Sequence, residues 1–170
     1  MAITFLGFGI YAAATKTATI TGSVSFASEN VEADIKIYRI APQATKPTTS
    51  TTGELITTLN FGVGKDDAQS QAITNGAFQE TLTFFGIRIV ITNNFTSRGI
   101  NVSYTDANGA TPSGGQLTVD LLTSGTLTGG VLAGGNSYTL IYTYQLNSTE
   151  QANFSKTLPN IVVSMTRLTE

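Results

Sequence analysis

The chain has 170 residues, of which 12% are charged and 41% hydrophobic, and its formal net charge is −2. Because cysteine and histidine are both absent, disulfides, the usual structural zinc sites, thiol nucleophiles and imidazole bases are excluded. The charge balance provides no basic surface for nucleic acid or an acidic membrane. This length and hydrophobic content predict one folded domain with its own core.

The first 14 residues form an apolar segment that differs from the rest of the chain. No Lys or Arg precedes the apolar run, and the run is too short to cross a bilayer, so we expect it to belong to the mature protein. A strand that is apolar on both faces must be buried on both, either in its own domain or, by strand addition, in a groove of a neighbouring copy. The large side chains alternate between the two faces: Ile3, Phe5 and Tyr11 on one, Leu6, Phe8 and Ile10 on the other.

Period-two alternation predicts several strands in the part of the chain that follows. Apolar residues alternate with Thr and Ser in Thr17–Phe26, which predicts a half-buried strand, and Ala33–Ile40 has a similar pattern. Ala41–Gly53 is rich in Thr and Pro and predicts an exposed loop, before a further strand at Leu55–Phe61. Gly62–Gly76 predicts a short helical turn or an ordered loop.

The second half of the chain has the same character. Its predicted strands are Phe78–Phe84, Ile87–Thr92, Ile100–Tyr104, Gln116–Leu121, Tyr138–Leu146 and Ile161–Leu168. Turn-forming dipeptides such as Asn108-Gly109 separate these strands. The regular spacing predicts an all-β fold: a single antiparallel β-sandwich of jelly-roll or Greek-key type over residues 15–170, with residues 1–14 as an N-terminal donor strand.

Three tyrosines share one face of a predicted strand. Tyr138, Tyr142 and Tyr144 are spaced by even numbers of residues, so they point to the same side. This pattern predicts core and cross-strand packing, and the alternative is an exposed aromatic strip on which sugars stack.

Four Asn-X-Ser/Thr sequences are candidate sites for N-linked glycans, and none has proline in the middle. Their asparagines are Asn94, Asn101, Asn147 and Asn153. A chain rich in Asn, Ser and Thr produces some of these matches by chance. Together with the low charge and the absence of thiols, they favour an extracellular location.

No set of residues in the sequence predicts catalysis, a metal site or a cofactor site. The acidic residues are scattered and no pair of carboxylates is distinguished by its spacing. Asp106-Ala107-Asn108-Gly109 resembles the opening of a calcium loop, but Leu117 stands where the bidentate acid belongs, so we predict a turn. We therefore expect a protein that is not an enzyme and needs no cofactor.

The last third of the chain resembles the end of the TasA/camelysin family of biofilm-matrix proteins. A Gly-rich turn at Leu132–Ser137 leads into the alternating strand Tyr138–Leu146. An Asn-aromatic loop at Ala152–Ser155 then precedes the closing strand Asn160–Thr166. Earlier in the chain, Ile89–Asn94 is a strand ending in Asn and is similar to the middle strand of the family.

The N-terminal part resembles the archaeal branch of that family, the subunits of bundling pili, because an apolar segment precedes the Thr/Ser-alternating strand Ala18–Phe26. The resemblance implies a jelly-roll-like sandwich that polymerises by donating its N-terminal strand to the next subunit. The candidate glycan sites are also compatible with the glycosylated threads of thermophilic archaea. The loop Pro42–Gly53 and the four glycan sites depart from the bacterial pattern.

The expected function is that of a structural subunit in an extracellular cell-surface filament. Residues 2–13 would enter the sandwich of the next copy, so that the partners are other copies joined head to tail into a fibre. We expect inward residues of Ile87–Ile91, Tyr138–Leu146 and Ile161–Met165 to line the acceptor groove. The alternatives are a carbohydrate-binding or adhesin sandwich and a viral capsid or tail protein.

Overall fold

The computed structural model describes residues 18–75, 82–147 and 154–168. The predicted donor strand, with Ile3, Phe5, Leu6, Phe8, Ile10 and Tyr11, lies outside these residues, and so does Asn153. The division into residues 1–14 and 15–170 therefore stays a prediction.

All regular elements in the described part of the chain are strands. They are β1 (Ala18–Glu29), β2 (Ala33–Gln43), β3 (Glu54–Phe61), β4 (Ala68–Asn75), β5 (Phe84–Asn93), β6 (Ile100–Tyr104), β7 (Leu117–Ser124), β8 (Val131–Leu132), β9 (Ser137–Leu146), β10 (Phe154–Thr157) and β11 (Ile161–Arg167).

The strands form two sheets. Sheet B has the order β3-β2-β5-β9-β7, and each of its pairs is antiparallel. In sheet A, β4 pairs antiparallel with one edge of β1, so β10 and β11 share the other edge, where both run parallel to β1. β6 then pairs with β11, and β8 with β6. The prediction of an antiparallel sandwich is wrong for the two parallel pairs of β1.

The core lies between the sheets and is made by alternate residues of each strand. Ile35 and Ile37 of β2, and Ile89 and Ile91 of β5, are fully buried, as the period-two pattern requires when one face is covered. Met165 of β11 faces them from sheet A and is also buried. The two sheets thus pack as an all-β sandwich, which confirms the predicted fold class at that level.

Two predicted elements are corrected by the structure. The short turn or ordered loop predicted over Gly62–Gly76 extends only to Asp67, with the amide of Lys65 bonded to the carbonyl oxygen of Gly62 at 3.0 Å, and Ala68–Asn75 is strand β4, which pairs with β1. β5 runs without a break through Gly86, where the sequence predicts a gap between two strands. The backbone is closely packed there, since an added Cβ would lie 3.0 Å from the carbonyl oxygen of Tyr142 and 3.1 Å from Ile40. Residues 78–81 of the predicted strand are outside the described part.

The loop predicted at Ala41–Gly53 is partly strand and partly a segment that crosses the outer face of sheet B. β2 continues to Gln43, and residues 44–53, here called the strap, follow it. Most of the strap is exposed, but Pro47 is buried, and Nζ of Lys46 lies 2.5 Å from Oδ2 of Asp120 on β7. The strap therefore crosses the outer face of sheet B, away from the core.

Candidate functional site

Sheet A becomes narrower towards the end of the sandwich where β1 begins, here called the lower end. β6 pairs with β11 only from Val163 to Arg167, at the opposite end. At the lower end β10 pairs with Ala18–Thr21 of β1, and its other side has no strand partner among residues 18–75, 82–147 and 154–168. We call that side the β10 edge.

Sheet B keeps its width at the same end. Leu117 of β7 pairs with Leu146 of β9, and Gln145 pairs with Phe84 of β5. In the described part of the chain, the lower end has the four paired strands β2, β5, β9 and β7 in sheet B, and the three paired strands β4, β1 and β10 in sheet A. A sheet that stops beside a wider sheet leaves backbone donors and acceptors along its edge for another strand.

A loop, not a strand, runs beside the β10 edge. It begins at Thr105, whose carbonyl oxygen accepts a hydrogen bond of 2.5 Å from the hydroxyl of Tyr142. It ends at Gln116, whose side-chain oxygen accepts one of 3.1 Å from Lys156 of β10. Within it, the amide of Gly109 donates to Oδ1 of Asp106 at 2.7 Å, so this segment is a turn, as predicted. Backbone hydrogen bonds also hold both ends of this loop, from the amide of Thr105 to the carbonyl oxygen of Val162 at 3.0 Å and from the amide of Asn147 to that of Gln116 at 2.9 Å. Ala110 of the loop is buried in the core, and no strand ladder joins the loop to β10 in the described part of the chain.

The tyrosines of β9 face the core, which confirms the packing prediction over the exposed sugar-stacking strip. Tyr142 and Tyr144 are fully buried, and the ring of Tyr144 stacks on Phe85 with centroids 4.7 Å apart. The hydroxyl of Tyr144 is buried and has no hydrogen-bond partner in the described part of the chain. Tyr144 lies two residues before Leu146, so this unpaired hydroxyl belongs to the lower part of β9.

Burial also changes the titration of these phenols. Burial, reinforced by the nearby Tyr144, raises the pKa of Tyr142, and burial alone raises the pKa of Tyr144. A hydrogen bond to the Tyr138 hydroxyl, with burial second, raises the pKa of Tyr104 to about 12. The uncharged phenol is the form that the folded chain favours at all three positions.

We expect the protein to lose stability above pH 10. A hydroxyl whose pKa is higher in the folded than in the unfolded chain stabilises the fold fully below the unfolded value of 10, and that contribution is lost as the pH rises through the folded value. Each buried tyrosine should reduce the unfolding free energy by about 1.4 kcal/mol per pH unit above pH 10. Urea midpoints from pH 8 to 11.5 measure this.

The Tyr144→Phe variant is the matched comparison for this pH dependence. It should show a shallower alkaline decline, and no loss of stability at pH 7, because the hydroxyl makes no hydrogen bond to any described residue. Midpoints that stay level up to pH 11.5 in the unsubstituted chain would contradict the expected result.

The strands expected to line the acceptor groove have no free edge. β5 lies between β2 and β9, β9 between β5 and β7, and β11 between β1 and β6. Their inward residues, such as Ile89, Leu140 and Val163, are fully buried. A donated strand can pair only with a free strand edge, so these strands could offer inward side chains to a groove but no backbone pairing, and the predicted lining stays a prediction. The β10 edge, which the sequence pattern missed, is one side without a strand partner in the described part of the chain, and the outer sides of β3, β4 and β7 are others.

Two of the candidate glycan sites are presented to solvent. Asn94, just after β5, and Asn101, on β6, are both exposed. Asn147 is half-buried and its side-chain nitrogen donates a hydrogen bond to the carbonyl oxygen of Gly115, so it is held by the loop beside β10. Asn94 and Asn101 are therefore the sites at which a glycan fits with the least rearrangement.

Comparison with known proteins adds no family. No protein-family model matches the chain, and no curated protein matches it. The described residues hold no group of three or more acidic, His or Cys side chains able to bind a metal ion. They also include no helix with the length and apolar character needed to span a membrane.

Proposed function

We propose that the chain is a structural subunit of an extracellular filament, a jelly-roll-type sandwich in which residues 2–13 of one copy add as a strand to the β10 edge of the next. The observation that supports this most is the mismatch at the lower end, where sheet B has paired strands and sheet A stops at β10. An added strand there extends sheet A over the β9–β7 side of sheet B.

At such a position the N-terminal arm needs cover on both of its faces. The arm is apolar on both faces, while an edge strand of a sandwich has one face on the core and the other open to solvent. Beside β10, the inner face would meet the apolar end of β9 and β7, and the loop from Thr105 to Gln116 can cover the outer side. Backbone pairing along β10 would satisfy groups that are otherwise left to solvent.

Polymerisation in this proposal needs one donor and one acceptor on every chain. The arm precedes residue 18, where β1 begins beside β10, so the proposed arm would leave each copy near its own β10 edge. Each copy then has one arm and one β10 edge, and head-to-tail donation between copies makes a contact that does not close on itself. Glycans on Asn94 and Asn101 would face the solvent around such a fibre.

Disulfide trapping tests the proposal in a chain that has no cysteine of its own. One tagged chain carries Cys in place of Thr4, Gly7 or Gly9, and a second chain with another tag carries Ser155→Cys on β10. Under mild oxidation the mixture should give a dimer that carries both tags, because neighbouring strands place Cβ atoms about 4.5–5.5 Å apart.

The control is Thr58→Cys, an exposed position on β3 at the far edge of sheet B. It should trap little or no dimer with the arm. Dimers that form equally well with Thr58→Cys would contradict the proposed acceptor. Doubly substituted chains that oxidise only within one chain, at every concentration, would show that the arm folds back on itself.

A further inference from the structure

A second site lies on the outer face of sheet B, on the opposite side from the core. It is a cavity of about 250 Å³ beneath the strap. Phe84, Gln145 and Thr118 form one row across β5, β9 and β7, and Thr143 pairs with Asp120 in the next row. Paired strands therefore fix the positions of these side chains. The residues that matter for binding are Lys46 from the strap and Phe84, Thr118, Asp120, Thr143 and Gln145 from the sheet.

The floor of this cavity includes a polar group whose hydrogen-bonding capacity is unused. The side chain of Thr143 is 2% exposed, and its hydroxyl has no partner among the described residues. A buried hydroxyl without a partner is costly, and such groups are uncommon in folded proteins. Thr143 therefore indicates a site where a further hydroxyl completes the pairing.

The rim of the cavity is polar but has no net charge. Nζ of Lys46 and Oδ2 of Asp120 are 2.5 Å apart, and each side chain is about half exposed, at 51% and 49%. The two charges cancel, so the site selects neither anions nor cations, yet both groups keep capacity for further hydrogen bonds. Exposed Gln145 and Thr118 add donors and acceptors, and half-buried Phe84 adds an apolar ring.

We propose that this cavity binds one pyranose unit of a carbohydrate. A pyranose has an apolar C–H face, which matches the ring of Phe84, and a rim of hydroxyls that both donate and accept, which matches Asp120, Gln145 and Thr143. A few polar groups placed around one aromatic surface are the usual composition of a small-ligand site. The proposal is independent of strand donation, since the cavity and the β10 edge share no residue.

The test uses the full chain produced without glycans, with four probes: the methyl pyranosides of glucose, galactose, mannose and N-acetylglucosamine. Saturation-transfer NMR detects contact in both monomers and filaments, and calorimetry gives the dissociation constant. We expect saturable binding of at least one probe, with the strongest transfer to protons of one C–H face. No transfer to any probe at 10 mM would overturn the proposal.

Three variants locate the binding. Asp120→Asn and Gln145→Ala should each weaken binding at least tenfold, and Gln145→Ala leaves the Lys46 ion pair intact. The matched control is Glu54→Gln, which breaks the ion pair of Arg39 and Glu54, also 2.5 Å long but outside the cavity. The dissociation constant of the pyranoside for Glu54→Gln should differ less than twofold from that for the unsubstituted chain. Equal losses in all three variants, or none, would place the sugar elsewhere and overturn the site.

A second part of the same experiment distinguishes two sources of the sugar, the glycans of neighbouring copies and an external polysaccharide. Glycans released from the natively produced chain are compared with the methyl pyranosides. Tighter binding of the released glycans would assign the site to neighbouring copies, and binding of the simple pyranosides alone would assign it to an external polysaccharide. Filament formation is measured separately by electron microscopy, so failure of one proposal is distinguishable from failure of the other.

Discussion

Deletion of residues 2–13 is expected to abolish filaments. The arm has six large apolar side chains, which on burial contribute on the order of 10–15 kcal/mol at roughly 1.5–3 kcal/mol each. The ordering of its backbone opposes this gain, and backbone pairing with the β10 edge offsets part of that cost. Negative-stain microscopy of the full and deleted chains measures the effect. Filaments of normal length from the deleted chain would contradict it.

A peptide of residues 1–13 should stabilise the deleted chain, because it binds the folded form and not the unfolded one. At a free concentration of 100 times its dissociation constant, the unfolding free energy rises by about 2.7 kcal/mol. In a domain of this size the midpoint of thermal unfolding should then rise by roughly 5–10 °C. A control peptide with Phe5→Asp and Phe8→Asp should have no effect, since it places a charge where burial is required. If neither peptide raised the unfolding midpoint of the deleted chain, the result would contradict the proposed acceptor edge.

Mixing the full and deleted chains distinguishes donation of the arm to another copy from folding of the arm into its own sandwich. The deleted chain keeps its β10 edge but has no arm, so it can accept a donor strand but cannot donate one. A mixture in which about one chain in ten is the deleted chain should therefore form shorter filaments than the full chain alone. If the arm folds into its own sandwich, the full chain stays monomeric at every concentration and mixing has no consequence.

The central strands were predictable because their signal is local and repeated. Ile35 and Ile37, then Ile87, Ile89 and Ile91, recur at every second position, and each is buried in the sandwich. Shifting such a strand by one residue would turn its whole apolar set to solvent, so the alternation fixes both the strand and its inner face.

The edge strands were not predictable in the same way. β4 faces the core with Gln69, Gln71 and Ile73, so only one large apolar residue marks its inner face. β10 has four residues and depends on a parallel partner more than 130 positions earlier in the chain. Neither strand carries a periodic pattern long enough to distinguish it from a loop.

On the outer side of sheet B, residues that the period-two pattern predicts to be exposed are buried. Ile141 and Thr143 stand at the positions of β9 that the pattern assigns to solvent, yet both are buried. They are covered because the strap crosses the sheet and is held by Lys46 on Asp120. That contact joins positions 74 residues apart, and no local pattern predicts it. The pyranose cavity was missed for the same reason.

Replacement of Asn93 is expected to cause the largest loss of stability from a single side chain. Asn93 ends β5 and is fully buried. Its side-chain nitrogen donates to the carbonyl oxygens of Arg98, at 2.8 Å, and Leu132, at 3.0 Å. Its Oδ1 accepts from the amide of Phe95 at 3.1 Å. One side chain thus joins the loop after β5 to the turn after β8.

Asn93→Ala removes these three hydrogen bonds in a closely packed region. An added Cβ at Gly134, in that turn, would lie 2.7 Å from the carbonyl oxygen of Phe95, so the two segments are already in contact and little room is left for water. We expect the unfolding free energy to fall by about 2–4 kcal/mol. Urea unfolding of the chain produced without glycans measures the change.

Asn94→Ala is the matched control, since Asn94 is the next residue and is exposed. It should change the unfolding free energy by less than about 0.5 kcal/mol. If both variants lost the same amount, the hydrogen bonds of Asn93 would not be what holds the two segments.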